Sequence, residues 1–266
     1  MIAWDLAVAP SVDVTRKRSL QDLIERIGLE HPARIIDLGC GSGLSSRMLA
    51  KRFPETRITA VDINPETLER ARREGDADGR ITFVDLRPDE WDTLGRADVV
   101  FSCGLFQKLP GHERIFPSLL KLLSPWGVFA VMMPRNVEGQ PYERAAPAVR
   151  GLPWFDGTEH VGASVALAPA IRYSRILTPR VHKLDIWETV YHAVVKSQHP
   201  LEGAPNGQSE PIGLEAPRTR SDGIYDFLDE YIEQVRGVYQ SDENGIIVYP
   251  LRHIFIVARN PVTQHI

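Results

Sequence analysis

Ile35-Ile36-Asp37-Leu38-Gly39-Cys40-Gly41-Ser42-Gly43 is an apolar run that stops on three spaced glycines, and Leu44 opens a helical pattern directly behind it. Ala33 to Leu38 reads as a short buried strand, and Leu44 to Phe53 as a helix with Pro54 just beyond its end. Glycines between a strand and a helix let the backbone turn tightly and approach a ligand closely. Two cofactor classes use such a turn. A dinucleotide site wants Gly-x-Gly-x-x-Gly, with the pyrophosphate on the helix N-terminus. Here Leu44 stands where the final glycine would be, the third glycine comes one residue early, and Asp37 opens the motif. Asp-x-Gly-x-Gly-x-Gly is better suited to S-adenosyl-L-methionine, which leaves as S-adenosyl-L-homocysteine. That cofactor has no phosphates, and its zwitterionic methionine and sulfonium tolerate an acidic, glycine-walled turn.

Outward from this turn, strand and helix alternate. Arg57 to Asp62 reads as a strand, Pro65 to Arg73 as a helix with proline in its first turn, and Ile81 to Val84 as a third strand. Ala97 to Ser102 is a fourth, His112 to Leu123 a helix, and Val128 to Met133 a fifth. Upstream, Leu20, Leu23, Ile24 and Ile27 recur at helical spacing, with Ser19 placed to cap and Asp22 three residues on. The alternation predicts a mostly parallel α/β sheet with helices on both faces. After Pro134 the pattern changes. Residues 135–170 read as loops with short helices, Val181 to Val195 as a long strand, and 197–220 as an irregular loop. Ser221 or Asp222 would cap a helix with Ile224, Phe227, Leu228, Tyr231, Val235 and Tyr239 on one face. Gly245 to Ala258 is a last strand that Pro250 should bend or leave at an edge. The expected organisation is a single domain over 1–266. Residues 1–134 bind the cofactor, 135–180 and 196–240 cover the acceptor, and 181–195 and 245–258 close the sheet as an antiparallel pair.

Ligands of an open parallel sheet sit outside the carboxyl ends of its strands. Asp62 ends the second strand about 20 residues past the glycines, the place for an acid that binds ribose hydroxyls. Asp85 follows the third strand, where an adenine amino group would lie, and Ser102-Cys103-Gly104 ends the fourth beneath the reacting centre. The cofactor set is therefore Asp37, Gly39, Cys40, Gly41, Gly43, Asp62, Ile63, Asp85, Leu86 and Ser102. A carboxylate acceptor is ionised at neutral pH and needs no general base, and an Arg or Lys to orient it would suffice. Arg18, Lys108, Arg172, Arg175 and Arg252 are the candidates, with Trp4 and Trp187 as aromatic walls. A phenol, amine or carbon acceptor would need a base, and His112, His160 and His192 are the ones to test.

The remaining features exclude more than they assign. The chain has 266 residues and a net charge of −4, which argues against a nucleic-acid partner. The basic run Arg16-Lys17-Arg18 reads as a solvated helix start. Two cysteines, Cys40 and Cys103, form no disulfide framework and point to a reducing cytoplasm. Neither the first ten residues nor the apolar stretch Val161 to Ile171 suits a signal or a bilayer span, which needs ~20 residues. No His-x-x-x-His metal spacing and no Gly-x-Ser-x-Gly turn occur. A monomer acting on a small-molecule acceptor is expected.

Six stretches together resemble the trans-aconitate 2-methyltransferase family of class I methyltransferases. They are IIDLGCGSG (35–43), ITAVDINPETL (58–68), FQKLPGH (106–112), LLSPWGVFAVMMP (122–134), KLDIWETVYH (183–192) and YPLRHIFIVAR (249–259). The resemblance implies a Rossmann-like fold: a seven-stranded, mostly parallel sheet with an antiparallel last strand and a helical or loop lid insert. It implies cofactor roles for Gly39, Gly41, Gly43, Asp62 and Asp85, and methyl esterification of a small carboxylic acid. Three departures fall where the acceptor should lie. Lys108 and Gly111 replace the family's Trp and Asp in Leu-Gln-Trp-Leu-Pro-Asp-His. Ala9 and Val12 stand where it has aromatic residues, although Arg16 and Arg18 fit its Arg-x-Arg pair. Gly213-Leu214-Glu215 replaces Gly-Leu-Arg, which counts against a tricarboxylate acceptor. The alternatives are a cofactor-binding protein that catalyses a cyclisation without methylating, or a C- or N-methyltransferase of a natural product. A protein or nucleic-acid methyltransferase would want an Asn-Pro-Pro-Tyr-like motif where Ser102-Cys103-Gly104-Leu105 stands.

Overall fold

The computed structural model describes residues 10–75, 78–135, 167–196, 242–244 and 246–260. Its strands are β1 (Arg34–Leu38), β2 (Arg57–Asp62), β3 (Ile81–Asp85), β4 (Ala97–Cys103), β5 (Leu123–Pro134), β6 (Lys183–Lys196) and β7 (Ile246–Arg259). Its α-helices are α1 (Pro10–Arg26), α2 (Leu44–Arg52), α3 (Pro65–Glu74), α4 (Phe116–Leu120) and α5 (Ala170–Leu177). The seven strands form one sheet in the order β3-β2-β1-β4-β5-β7-β6. β1 pairs in parallel with β2 and β4, β2 with β3, and β4 with β5, whereas β7 runs antiparallel to β5. The central strands are apolar on both faces, as expected of parallel strands covered on both sides. Ile35, Ile36, Leu38, Val99, Val100, Phe101 and Val128 to Val131 are all fully buried.

The chain divides into two compact units. One comprises Ser19–Arg135, Val165–Thr189 and His253–Ile266; the other comprises Met1–Arg18, Asn136–Ser164 and Val190–Arg252. The first carries the continuous core. Ile36, Leu38, Val100, Phe129, Val131, Met133, Ile254 and Ile256 cluster there with Phe106, Phe116, Tyr173 and Leu177. Burying a side chain of this size stabilises a fold by about 1.5–3 kcal/mol.

Local chemistry sets the ends of the elements. Asn64 caps α3, its side chain accepting from the backbone N–H groups of Glu66 and Thr67 at 3.0 and 3.2 Å, with Pro65 in the first turn. Arg80 closes the far end of α2, donating to the carbonyl of Ala50 in its last turn and to those of Phe53 and Thr56 just beyond it.

Several boundaries differ from the sequence reading. α1 begins at Pro10, so Ser19 is a buried residue inside the helix and not its cap, and Arg16-Lys17-Arg18 lies within the helix. The apolar stripe marks only the part of this helix that faces the core, while Arg and Lys extend it with good helix propensity. The helix expected over His112 to Leu123 is two pieces, a 3₁₀ turn at His112–Arg114 and the short α4. Pro117 has no N–H to bond backwards and is accommodated by a fresh first turn. β5 begins at Leu123, five residues earlier than expected. Ala97 pairs with Leu123 but Val99 with Val128, so the strand bulges between them, and Trp126 sits at φ 63°. β7 passes through the exposed Pro250 unbroken, and its pairing with β5 begins only at His253. The loops expected over 136–166 and 197–220 and the helix after Ser221 lie outside the described residues.

Candidate cofactor and acceptor site

The glycine turn is held by backbone. The N–H groups of Gly39 and Cys40 both donate to the carbonyl of Val61, at 2.8 and 3.0 Å, and the Gly43 N–H donates to Cys40. Gly39, Gly41 and Gly43 have φ of 74°, 54° and 83°, the left-handed region that costs other residues energy. Their surroundings differ. A Cβ on Gly39 would lie 2.7 Å from Leu105, and one on Gly43 2.9 Å from the Arg47 guanidinium, whereas one on Gly41 would meet nothing within 4 Å. Gly41 therefore faces open space, and the other two are packed floor.

Asp37 is fully buried beneath this turn. The hydroxyls of Ser45 and Ser46, in the first turn of α2, both donate to its Oδ2 at 2.6 Å. Burial pushes its carboxyl up to about 6; the two serine bonds oppose that shift, and the nearby charge of Asp62 adds to it. Its Oδ1 is buried with no protein partner. Asp62 stands at the end of β2, directly opposite Asp85 at the end of β3. Its Oδ2 accepts from the Gly41 N–H at 2.8 Å, and its Oδ1 from the N–H groups of Ile63 and Asn64. Ile63 beside it is 55% exposed, and the Leu86 N–H donates to the Asp62 carbonyl, so the ends of β2 and β3 are tied together.

Two members of the expected cofactor set have buried side chains. Ser102 is fully buried, and its hydroxyl donates to the carbonyl of Leu38 at 2.9 Å, tying β4 to β1. Its polar atom is consumed under the floor. Cys40 is also buried, and burial, with Asp37 and Asp62 nearby, pushes its thiol well above the usual range, so it is a small packed residue.

On the acceptor side His112 is enclosed by its neighbours. Its Nδ1 lies 3.1 Å from the carbonyl of Leu109 and its Nε2 2.8 Å from the Tyr173 hydroxyl. A carbonyl only accepts, so Nδ1 carries the hydrogen and Nε2 accepts from the phenol. The ring is buried against Phe106, Phe116 and Tyr173. Burial lowers its proton affinity, outweighing the opposing Leu109 carbonyl and Glu113. Both ring nitrogens are therefore committed to contacts within the chain. Burial, with Glu113 nearby, pushes the Tyr173 phenol up to about 12. The Trp187 ring lies 4.8 Å from that of Phe255 and parallel to it, with the Arg26 guanidinium 5.2 Å above. Arg172 is exposed on α5 and lies 3.4 Å from Glu113, Lys108 is exposed in the 3₁₀ turn Phe106–Lys108, and Arg175 is exposed. Arg18, His192 and Arg252 belong to the other unit; the first two are exposed and Arg252 is half-buried. Trp4, Ala9, His160 and Gly213 to Glu215 lie outside the described residues.

Sequence reasoning missed Ser45 and Ser46, although two hydroxyls behind an acid-led glycine turn were a usable signal. It also missed Tyr173 and the ion pair between Arg135 and Glu188, which join residues 61 and 53 positions from their partners. Among the described residues no cluster of His, Cys, Asp or Glu could hold a metal, and no helix is long and apolar enough to cross a membrane.

Comparison with known proteins bears on this geometry. A family model described as "Methyltransferase domain" matches residues 35–127. The trans-aconitate 2-methyltransferase of Azoarcus sp. is 30% identical, over 97% of this chain and 99% of its own. That of Rhizobium etli is 31% identical over the same shares. The chain belongs to the trans-aconitate 2-methyltransferase family. It is an S-adenosylmethionine-dependent methyltransferase with the Rossmann-like class I fold. The N-methyltransferase NodS of Bradyrhizobium japonicum, solved with S-adenosyl-L-homocysteine, shares that fold. Its TM-score is 0.50 at 15% identity, over 97% of this chain and 91% of its own.

The methyltransferase's own residues fit that cofactor. Gly41 opens on free space, Asp62 stands at the strand end beside it, and Ile63 is an exposed apolar side chain next to that acid. The buried, unpartnered Oδ1 of Asp37 suits a ligand that brings N–H donors and positive charge, and would repel a pyrophosphate.

Proposed function

We propose that this methyltransferase esterifies a carboxylate of a small-molecule acid. The observation that carries the reading is the commitment of both ring nitrogens of His112, which leaves the centre after β4 without that histidine as a base. An acceptor ionised at neutral pH needs none. The curated relatives, named for trans-aconitate, support the same class. Bound S-adenosylmethionine supplies a methyl carbon on a sulfonium: an acceptor oxygen lone pair forms the C–O bond, the C–S bond breaks with its pair going to sulfur, and no proton moves.

The chain's part is alignment and charge. In this reading Asp62 takes the ribose hydroxyls, Asp85 the adenine amino group, and Ile63 and Leu86 flank the base. Gly41 gives the methionine part its close approach, and Asp37 holds the turn to α2 through Ser45 and Ser46. The His112–Tyr173 bond fixes the loop after β4 beside the transferring carbon. The test is a panel of mono-, di- and tricarboxylic acids, phenols and amines with isotopically labelled methyl donor. A carboxylic acid should give S-adenosylhomocysteine and a base-labile methyl ester. Label found only in phenol ethers or amines would defeat the proposal.

A further inference from the structure

An Arg or Lys would orient a carboxylate acceptor, and the first compact unit carries an arginine at the carboxyl end of β5 that the motifs do not show. Arg135 follows Pro134, the last residue of β5, at the carboxyl end of the strand beside β4. The Gly104 N–H donates to the Met132 carbonyl at 2.9 Å, so the exit of β4, which bears the transfer loop, is bonded to the strand end that carries Arg135. Strand alternation puts Arg135 on the face of Met133 and Val131, which is also the face of Tyr173 in the core cluster. Its charge favours the ionised Tyr173 phenol, in keeping with that face.

The guanidinium is held by a carboxylate already. Arg135 Nη1 lies 2.5 Å from Glu188 Oε1, with side-chain exposures of 22% and 30%. Arg172, next to Tyr173 in the chain, is 56% exposed. An ion pair partly withdrawn from water is stronger than a fully exposed one. Glu188 and an acceptor carboxylate present the same two-oxygen fork, and arginine is the side chain that matches it.

We infer that Arg135 receives a carboxylate of the acceptor, with Glu188 as the resident counter-ion that shares or yields the guanidinium when the acid binds. This rests on the carboxylate reading above. Arg135 is then a specificity residue: it rejects neutral acceptors, which leave the guanidinium on Glu188.

Steady-state kinetics on the best acid from the panel, with calorimetry of S-adenosylmethionine, test this. Arg135→Lys should raise the acceptor KM roughly tenfold, because the ammonium lacks the fork, and Arg135→Ala by a further ~tenfold. Cofactor affinity should stay within about twofold in both. Glu188→Gln should leave the acceptor KM unchanged or lower it. The neutral amide of the acid, used as a competitive inhibitor, should bind wild type and Arg135→Ala alike. An unchanged KM in Arg135→Lys overturns the inference, as does an equal KM rise in Glu188→Gln, which marks the pair as structural. Should Arg135→Ala not fold, the lysine variant and the amide comparison decide. Wild type that methylates no acid overturns the carboxylate reading and this inference together. Wild type that methylates acids while Arg135→Lys matches it overturns this inference alone.

Discussion

The glycine turn and the loop after β4 face the same end of the sheet but are built on opposite principles. The turn is a backbone device: its bonds run from N–H groups of Gly39, Cys40 and Gly41 to Val61 and Asp62, and its three glycines occupy conformations that other residues pay for. The loop is a side-chain device, fixed by His112 against Tyr173 and bordered by Arg135 against Glu188. A backbone device is common to every acceptor a family uses, because the methyl donor is constant. A side-chain device can change acceptor without disturbing the fold.

The largest effects are expected where the backbone is packed as well as twisted. Gly39→Ala combines a φ of 74° with a Cβ 2.7 Å from Leu105, so urea unfolding should show a loss of about 2–4 kcal/mol. Gly41→Ala has the strain without the clash and should cost about 1–2 kcal/mol. Equal losses would mean that Leu105 moves aside freely, and that the turn is not packed from behind. Next is Asp62→Ala. It removes the carboxylate offered to the ribose, and two charge-assisted bonds are worth roughly a hundredfold in affinity. Calorimetry should show that fall for S-adenosylmethionine, with no binding of NAD to wild type. An Asp62→Ala protein that keeps its cofactor affinity would move the ribose elsewhere.

This contrast also explains what was legible. The alternation of strands and helices, the parallel sheet and the cofactor turn are written locally, in apolar runs a few residues long and in glycines whose φ has no substitute. The ends that moved had local causes of another kind. Ser19 looked like a cap only because the core-facing stripe starts beside it, and His112 to Leu123 looked like one helix until Pro117 required a new first turn. The acceptor side resisted for a topological reason. His112 and Tyr173 are 61 residues apart, and nothing near either announces the other. A histidine in a turn looks like a base until its partners are known. Ser102 stands at the expected strand end, and only the structure shows its hydroxyl bonded to the Leu38 carbonyl.

Asp37 allows the buried side of the turn to be tested by pH. The folded chain holds the Asp37 proton more tightly than the unfolded chain, with a carboxyl at about 6 against an ordinary 3.8. Stability from this group is therefore full below pH 3.8 and is lost as pH rises through about 6, by something on the order of 2–3 kcal/mol. Asp37→Asn should flatten that loss. The difference between wild-type and variant melting temperatures, followed from pH 4 to 7, should slope through this window. Parallel curves would show that the serine bonds, and not burial, govern the group.

The smallest effect is expected on the acceptor side, from Tyr173→Phe. The ring still fills its place among Phe116, Phe106 and Ile254, so the core keeps its volume. What is lost is one hydrogen bond, leaving His112 Nε2 buried and unpaired, which costs about 1–2 kcal/mol. S-adenosylmethionine should bind as before, since no atom of the turn is touched, while kcat on the acceptor falls because the loop after β4 is no longer pinned. The decisive readout is that split: calorimetry unchanged and turnover reduced. A parallel fall in cofactor affinity would show that the two regions are one device, with Leu105 against Gly39 as the joint between them.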